Sequence, residues 1–252
     1  MNRKRFLVLV YGLCTHLAFL CAVGLMCFSL HGGLSGDLNS SGATFSLSRY
    51  LWDLVLLLQF PIIHSLLLTK QGQSILALRH SSKTMSYLTT TTFALASSLQ
   101  LILVFSLWQP TGVMVWEPSR AVRQLFDIGY ILSWLLLGKS MWDSDITLQT
   151  GVKGWLSVFK GGKPVYQRFP SRGMYRLCRQ PIYLSFILIL ITGPHWTLDR
   201  ISVALIWGGY CIVGAMMKER RFLAIFGSDF LSYREQVPFM FPTPFRLTFR
   251  KG

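Results

Sequence analysis

Charged and aromatic side chains at the start of a late apolar segment have a spacing that suits anion binding. Arg179 stands two residues before Pro181, and proline is well suited to the first turn of a helix. The positive end of the helix dipole disfavours an uncompensated cation there and favours an anion. A bound carboxylate or phosphate would relieve that conflict. Tyr183 would share a face with Arg179 if both positions were helical, which predicts an aromatic wall beside the anion.

A single carboxylate follows the next apolar run. Glu219 comes shortly after residues 198–217 and is the only acid between Asp199 and Asp229. Two interpretations are open: an ion pair with its sequence neighbours, or an ion pair with Arg179. The second requires that the two apolar segments form a hairpin, because a hairpin returns the chain to the same membrane face. Such a hairpin would bring Glu219 close to Arg179.

The composition indicates that a membrane surrounds the elements that position these residues. Hydrophobic residues make up 52% of the 252 residues, charged residues make up 14%, and the mean hydropathy is +0.44. These values are not typical of a soluble domain. The sequence predicts an all-α membrane protein with about six hydrophobic helical segments, the last two forming a hairpin. The segments cover roughly residues 6–30, 50–69, 86–108, 122–142, 182–193 and 198–217.

The positive charges predict the orientation in the membrane. Twenty-one of the 25 Lys and Arg residues fall before the first segment, between segments two and three, within 139–179 or after 217. The positive-inside rule places these parts, and both termini, in the cytoplasm. The first segment is too long for a signal peptide and lacks a clear cleavage site, so we expect an uncleaved span. The net charge of +15 then reflects topology, and a nucleic-acid partner is not expected.

Polar residues inside the apolar segments are further candidates, because such groups are costly in hydrocarbon and tend to face a cavity. Asp53 and His64 are the two candidates for a substrate pocket. The alternatives are an interfacial carboxylate beside Trp52 and a hydrogen-bonded structural histidine. The five cysteines lack metal-type spacing, so neither a metal site nor a disulfide framework is expected.

A basic strip precedes the proposed hairpin. Residues 146–198 contain no Asp or Glu. Contact with anionic lipid headgroups accounts for Lys153, Lys160, Lys163, Arg168 and Arg172, at about 1 kcal/mol each. Arg176 and Arg179 lie next to the proposed helix start and are assigned to the anion site instead.

The motifs that flank the hairpin resemble those of a known family. In this chain they read Arg179-Gln180-Pro181-Ile182-Tyr183, Lys218-Glu219-Arg220, Gly227, Tyr233 and Val237-Pro238. They resemble the integral-membrane methyltransferases that include isoprenylcysteine carboxyl methyltransferase, and most closely the bacterial methanethiol S-methyltransferases. The upstream His64-Ser65, Ser86-Tyr87 and Trp108-Gln109-Pro110 are similar to the N-terminal half of that group and of nurim-like proteins.

The resemblance implies a membrane enzyme that uses S-adenosylmethionine. The acceptor would be a small thiol such as methanethiol, giving dimethyl sulfide, or alternatively an isoprenylcysteine carboxylate or another lipidic group. One membrane domain would span 1–252, with 1–142 as a four-span scaffold and 143–252 as the cofactor-binding part. The membrane would be the bacterial inner membrane, or alternatively the endoplasmic reticulum or nuclear envelope. The resemblance assigns catalysis to Arg179 and Glu219, and cofactor binding to Tyr175, Arg176, Arg179, Gln180, Pro181, Tyr183, Glu219 and Tyr233.

Three residues depart from the family pattern. Gln180 stands where the family usually has His, Lys218 where it has Glu, and Phe230 where it often has Tyr. Glutamine can form hydrogen bonds but does not titrate. A lysine cation directed at a sulfonium would be repulsive. A non-enzymatic, nurim-like membrane protein with a degenerate cofactor site is therefore a further alternative.

Overall fold

The computed structural model describes residues 3–34, 45–77, 83–166 and 168–242. Helices dominate these residues, and the only strands described are two short ones. The α-helices are α1 (Arg3–His31), α2 (Leu47–Leu67), α3 (Lys70–Leu76), α4 (Lys83–Tyr87), α5 (Thr89–Ser106), α6 (Arg120–Asp143), α7 (Ile146–Gln149), α8 (Val152–Phe159), α9 (Pro181–Ile191), α10 (Leu198–Phe226) and α11 (Ser228–Gln236). A 3-10 turn covers Gly173–Arg176, and the strands are β1 (Met114–Trp116) and β2 (Trp196–Thr197).

The protein is an all-α membrane protein, as predicted. Within the described residues, α1, α2, α5 and α10 are long and apolar enough to cross a membrane. The other two predicted segments also form helices, namely α6 and the shorter α9. The number of crossings and the cytoplasmic position of the termini stay predictions.

The charged residues after the last apolar segment do not end its helix. Lys218, Glu219 and Arg221 lie within α10, which continues to Phe226. A helix of 29 residues is about 44 Å long, whereas the hydrocarbon core of a bilayer is about 30 Å thick. The final turns of α10 therefore have length to spare for a polar site beyond the hydrocarbon.

One apolar core joins the long helices. Buried side chains of α1, α2, α5, α6, α9 and α10 pack together, including Leu30, Leu57, Val104, Ile189 and Trp207. The outer faces are apolar as well, and Phe28 and Leu205 are examples of their exposed side chains. This distribution suits a bundle surrounded by lipid, because lipid tails can cover apolar side chains that water cannot.

A buried arginine holds one end of the bundle together, which we call the Arg200 end. The Arg200 guanidinium donates to the carbonyls of Leu30, Ile189 (3.0 Å) and Leu190 (2.9 Å), close to the ends of α1 and α9. Helix ends leave such carbonyls without intrahelical partners. A Cβ on Gly193 would collide with the guanidinium, so glycine makes the close approach possible. Arg200 is one of the four cations outside the parts predicted to be cytoplasmic, and the structure shows that it is buried in the bundle.

The basic strip also differs from the expectation of lipid contact. Lys153 forms an ion pair with Asp145, and Arg168 forms one with Asp229 at 2.8 Å. Helix α8, which follows Gly151, packs against α1 and α5, and Trp155 Nε1 donates to His16 Nε2 at 2.9 Å. Two of the five cations assigned to lipid thus have carboxylate partners within the protein.

Candidate active site

The hairpin of α9 and α10 brings Arg179 and Glu219 together, as the sequence predicted. Arg179 Nε donates to Glu219 Oε1 at 2.7 Å, and Nη2 donates to Oε2 at 3.1 Å. Gln180 Nε2 donates to Glu219 Oε1 at 3.1 Å. All three side chains are buried. Bidentate arginine–carboxylate pairs have a fixed geometry, so this pair orients the Glu219 carboxylate.

Arg179 also connects the hairpin to the C-terminal segment. Its Nη1 donates to the carbonyls of Arg234 and Val237, and its backbone N–H donates to the Pro238 carbonyl at 2.9 Å. Tyr233 reinforces the connection, because its hydroxyl donates to the Tyr175 carbonyl at 2.7 Å. One guanidinium therefore fixes the positions of three chain segments relative to each other.

Arg179 precedes its helix, as the sequence indicated, and the condition for sharing a helix face with Tyr183 is not met. Helix α9 begins at Pro181 with Gln180 as its N-cap, so Arg179 precedes the helix and the helical i, i+4 relation to Tyr183 does not apply. The carboxylate that offsets the cation comes from Glu219 of the protein itself. Tyr183 instead lies near Lys218 of α10, with 5.7 Å between Lys218 Nζ and the ring centroid.

Three aromatic rings surround the ammonium of Lys218. Its Nζ lies 5.8 Å from the Tyr175 ring centroid, 5.7 Å from that of Tyr183 and 5.4 Å from that of Phe222. These distances fall within the range of about 6 Å for cation–π attraction. We call the three rings the Lys218 cage. Among the residues that the structure describes, none forms a hydrogen bond or an ion pair with Lys218 Nζ.

A cavity of about 380 Å³ opens next to the cage, and Lys218 and Phe222 are in its wall. Small-molecule sites commonly have volumes of about 300–1,000 Å³. Aromatic rings, cations and carboxylates all line this cavity. They include Phe169, Phe222, Phe226, Arg168, Arg172, Lys218, Asp143 and Asp145.

The two carboxylates of the wall are held by their surroundings. Asp143 accepts from the backbone N–H of Met174 at 2.8 Å, and Gly173 allows this approach because a Cβ there would collide with the carboxylate. Burial raises the pKa of Asp145, but hydrogen bonds from Lys153 and Thr147 outweigh burial and hold that pKa below its usual range. Asp145 is therefore ionised at neutral pH, and its charge is paired with that of Lys153.

An aromatic cluster lies next to the cavity, and two of its members, Phe169 and Phe226, are part of the cavity wall. The Phe169 ring lies 5.2 Å from Phe226, 5.3 Å from Phe230 and 5.4 Å from Tyr233, measured between centroids. Aromatic pairs at such distances contribute about 0.5–1.5 kcal/mol beyond their buried area. The cluster fixes the loop before the hairpin against α10 and α11.

The remaining predicted residues lie at several depths. Pro181 is buried at the first turn of α9, whereas the Arg176 side chain is exposed. His64 packs against the ring of Tyr210 at 6.3 Å, and Tyr210 lies nine residues before Glu219, about 14 Å along α10. Asp53 accepts from the backbone N–H of Gln109 at 3.0 Å.

Asp53 is far from the Arg179 pair. Its partner Gln109 lies two residues before Thr111, whose backbone N–H and hydroxyl donate to Asp199 at the start of α10 at 3.1 Å and 2.6 Å. Asp199 and Glu219 are twenty residues apart on one helix, a separation of about 30 Å. The structure therefore brings His64 part-way toward the Arg179 end of the bundle and leaves Asp53 at the Arg200 end.

Sequence reasoning did not select Phe222, Asp143 and Asp145 as candidates. Phe222 follows Lys218 by four residues, which is the spacing of neighbours on one helix face. The two aspartates lie directly before the stretch 146–198, which contains no Asp or Glu. Both patterns are visible in the sequence, but neither one predicts that these residues line the same cavity.

Comparison with known proteins identifies the relatives of this chain. A methanethiol S-methyltransferase of Pseudomonas sp. (strain GM41(2012)) is 30% identical over 238 residues, which cover 93% of this chain and 89% of that protein. The chain belongs to this family. A second methanethiol S-methyltransferase, from Pseudomonas deceptionensis, is 30% identical over 154 residues, 60% of this chain and 58% of that protein.

Nurim from Rattus norvegicus is 27% identical over 174 residues, which cover 65% of this chain and 64% of that protein. No family model matches the chain, and no solved structure matches it significantly. The names of the relatives confirm the resemblance seen in the flanking motifs, and they support a membrane methyltransferase of this type.

The residues of the Arg179 cluster, the Lys218 cage and the cavity wall together fit the chemical groups of S-adenosylmethionine. The buried Gln180 Oε1 has no hydrogen-bond partner within the described residues, so an acceptor is available for an amino group. The cage and the nearby phenylalanines suit a sulfonium and an adenine ring. Arg168 and Arg172 in the cavity wall match a carboxylate.

Proposed function

We propose that this protein is an S-adenosylmethionine-dependent methyltransferase of the membrane that methylates a small thiol, with methanethiol as the best candidate. The observation that carries the proposal is the buried Arg179–Glu219–Gln180 cluster, together with the cavity of about 380 Å³ whose wall includes Lys218, the residue before Glu219 in α10. The membership of the chain in the methanethiol S-methyltransferase family supports the same reaction.

Hydrogen-bond capacity gives Glu219 its role. An ionised carboxylate has about four acceptor positions, and Arg179 and Gln180 use three of them. One position is left, on Oε2, for a donor from a ligand. Gln180 Oε1 provides a second acceptor close to it. In this proposal Glu219 and Gln180 bind the amino group of the cofactor, and Arg179 keeps the carboxylate oriented.

The chemistry needs little from the protein beyond alignment and exclusion of water. When bound, S-adenosylmethionine supplies an electrophilic methyl group to a thiolate sulfur. Tyr175, Tyr183 and the phenylalanines of the cavity wall would exclude water from the reacting sulfur. Arg179, Tyr233 and the C-terminal segment would keep this wall in place.

Lys218 supports a second candidate function, a non-enzymatic membrane protein of the nurim type. Its ammonium lies in the cavity wall, where a positive charge opposes a sulfonium. The two candidates differ in a direct measurement, because a non-enzymatic protein would not bind S-adenosylmethionine.

The proposed location is the inner membrane of a bacterium, with both termini in the cytoplasm. The asymmetry of Lys and Arg along the chain supports this orientation. The two methanethiol S-methyltransferases described above come from Pseudomonas species, which supports a bacterial membrane.

A direct assay tests the proposed reaction. Purified protein in liposomes receives methanethiol and S-adenosylmethionine with a labelled methyl group, and labelled dimethyl sulfide is measured in the headspace. We expect turnover by the parent and a loss of at least about 100-fold in Glu219→Gln, because small displacements of bound groups have effects of that size. Glu117→Gln is the control, since Glu117 is an exposed carboxylate away from the cavity.

Full activity of Glu219→Gln would contradict the role of the cluster. A parent that neither binds S-adenosylmethionine in calorimetry nor forms product would overturn the proposal and favour the non-enzymatic candidate. Cofactor binding together with methylation of an isoprenylcysteine analogue, but not of methanethiol, would overturn the choice of a small thiol.

A further inference from the structure

The Lys218 cage is an unusual environment for an ammonium. Lysine is a strongly hydrated point charge that normally keeps its head group in water. Here the partners of Lys218 Nζ are three aromatic rings, and no carboxylate of the described residues lies within ion-pair distance. The rings belong to three elements: the 3-10 turn, α9 and α10. Tertiary structure, and not helix periodicity alone, assembles the cage.

An assembly of three rings around a cation is the arrangement that recognises onium groups. The quadrupole of an aromatic ring attracts any cation, whether an ammonium or a sulfonium. The cage also adjoins the cavity, so a ligand there could reach it. The same wall holds two carboxylates, Asp143 paired with Lys139 and Asp145 paired with Lys153, whose remaining acceptor positions are an alternative environment for the Lys218 ammonium once a ligand takes its place.

We propose that Tyr175, Tyr183 and Phe222 form a subsite for the sulfonium of the methyl donor, and that the Lys218 ammonium occupies this subsite as an internal competitor. This inference rests on the proposed function. Binding of the sulfonium moves the ammonium out of the cage toward the carboxylates. After methyl transfer the donor sulfur is a neutral thioether, which has no cation–π attraction, so the ammonium returns and favours product release.

Calorimetry with two ligands that differ in charge at sulfur tests the competition. S-adenosylmethionine carries a sulfonium, whereas S-adenosylhomocysteine carries a neutral thioether. We expect Lys218→Met to bind S-adenosylmethionine at least about tenfold more tightly than the parent does, because a competing cation is removed from a desolvated site. Affinity for S-adenosylhomocysteine should change less than about threefold.

Lys160→Met is the matched control, because it makes the same substitution at an exposed lysine outside the cavity. It should leave both affinities unchanged. An equal gain for both ligands in Lys218→Met would mean that Lys218 excludes ligands by bulk, and it would overturn the inference. A weaker S-adenosylmethionine affinity would overturn it as well, since Lys218 would then be a contact of the cofactor carboxylate.

A third probe separates this inference from the proposed function. Trimethylsulfonium carries only the onium group, and its binding is measured as an increase in melting temperature over the same concentration of sodium salt. If neither the parent nor Lys218→Met binds the adenosyl ligands, the proposed function fails. Stabilisation of Lys218→Met by trimethylsulfonium would still support the cage as an onium subsite. No stabilisation would overturn the cage as an onium subsite.

A second variant covers the case in which Lys218→Met does not fold. Phe222→Leu removes one ring and keeps an apolar side chain of similar length. We expect it to weaken S-adenosylmethionine binding about threefold relative to S-adenosylhomocysteine, a loss near the lower end for a cation–π contact. An unchanged ratio of the two affinities would contradict the subsite.

Discussion

Two buried arginines at opposite ends of the same helical hairpin have different surroundings. Arg200 donates to three backbone carbonyls, and the chain at Gly193 packs directly against its guanidinium. Arg179 also donates to carbonyls, but it has a carboxylate partner in Glu219, and a cavity lies close to its end of the bundle. The Arg200 guanidinium is thus enclosed by backbone, whereas the Arg179 pair is next to Gln180, whose buried Oε1 has no hydrogen-bond partner among the described residues.

The contrast teaches how to separate structural from functional charge in a membrane protein. A buried cation that is surrounded by helix-end carbonyls completes the hydrogen bonds of the fold. A buried charge pair with unused acceptors beside a cavity has capacity for a ligand. Burial alone does not distinguish the two arginines, because both are almost fully inaccessible.

Among the variants considered, replacing Arg200 should have the largest effect on stability. Arg200→Ala removes the guanidinium donor from three carbonyls and leaves that of Leu30 with only the backbone N–H of Gly33 at 3.3 Å. Each buried group that loses its partner costs about 1–3 kcal/mol. We expect a destabilisation of at least about 4 kcal/mol, measured by loss of helical circular dichroism during denaturation in detergent. Arg220→Ala is the control on the exposed side of the same helix. Equal stability of the two variants would contradict the structural role of Arg200.

At the Arg179 end, replacing both members of the ion pair should destabilise the protein less than replacing Arg179 alone. Arg179→Met leaves the Glu219 carboxylate buried and unpaired, which we expect to cost about 3 kcal/mol. The double variant Arg179→Met with Glu219→Leu should recover at least about 1 kcal/mol of this loss. Binding of S-adenosylmethionine should be absent in both. A double variant that is stable and still binds the cofactor would show that the pair has no part in binding.

The thiol of Cys178 provides the smallest and most local test, because it lies in the apolar cluster beside Arg179. Burial raises the pKa of Cys178 to about 11. The thiolate is the reactive form, so at pH 8 about one molecule in a thousand is reactive. In a variant with Cys178 as the sole cysteine, we expect maleimide labelling at least about 100-fold slower in the folded than in the denatured protein. The folded rate should increase about tenfold per pH unit up to pH 10.

Fast labelling at pH 8 would mean that the cluster opens readily, and it would weaken the contrast between the two ends. Slow labelling that S-adenosylmethionine does not change would be consistent with a rigid scaffold around the site. The cysteine-free variant is the control for reaction at other groups.

Much of the fold could be predicted from the sequence. Hydropathy indicated all six helical segments, because a spanning helix needs a long apolar run whatever it packs against. The bounds were less accurate at α10, where the charges from Lys218 to Arg221 suggested an end that the helix does not have. Short strands β1 and β2 were not predicted, since their pairing depends on residues about eighty positions apart.

The candidate site was partly predictable. The pairing of Arg179 with Glu219 followed from hairpin topology, and the structure agrees with it. The location of Lys218 among Tyr175, Tyr183 and Phe222 did not follow from the sequence, because the three rings lie on separate elements. The positions of Asp53 and His64 relative to the site were also not predictable. Both are polar residues of the apolar helix α2, but Asp53 is near the start of α10, whereas His64 is beside Tyr210, further along α10.

The sequence by itself determined that the chain is a helical membrane protein, that its charges concentrate in particular loops, and that its flanking motifs resemble a methyltransferase family. These properties depend on composition and local spacing, which the chain carries in any conformation. The tertiary structure alone decided which cation completes helix ends and which one adjoins a cavity. That choice depends on distances between residues up to 170 positions apart, as between Leu30 and Arg200, and no local pattern encodes such distances.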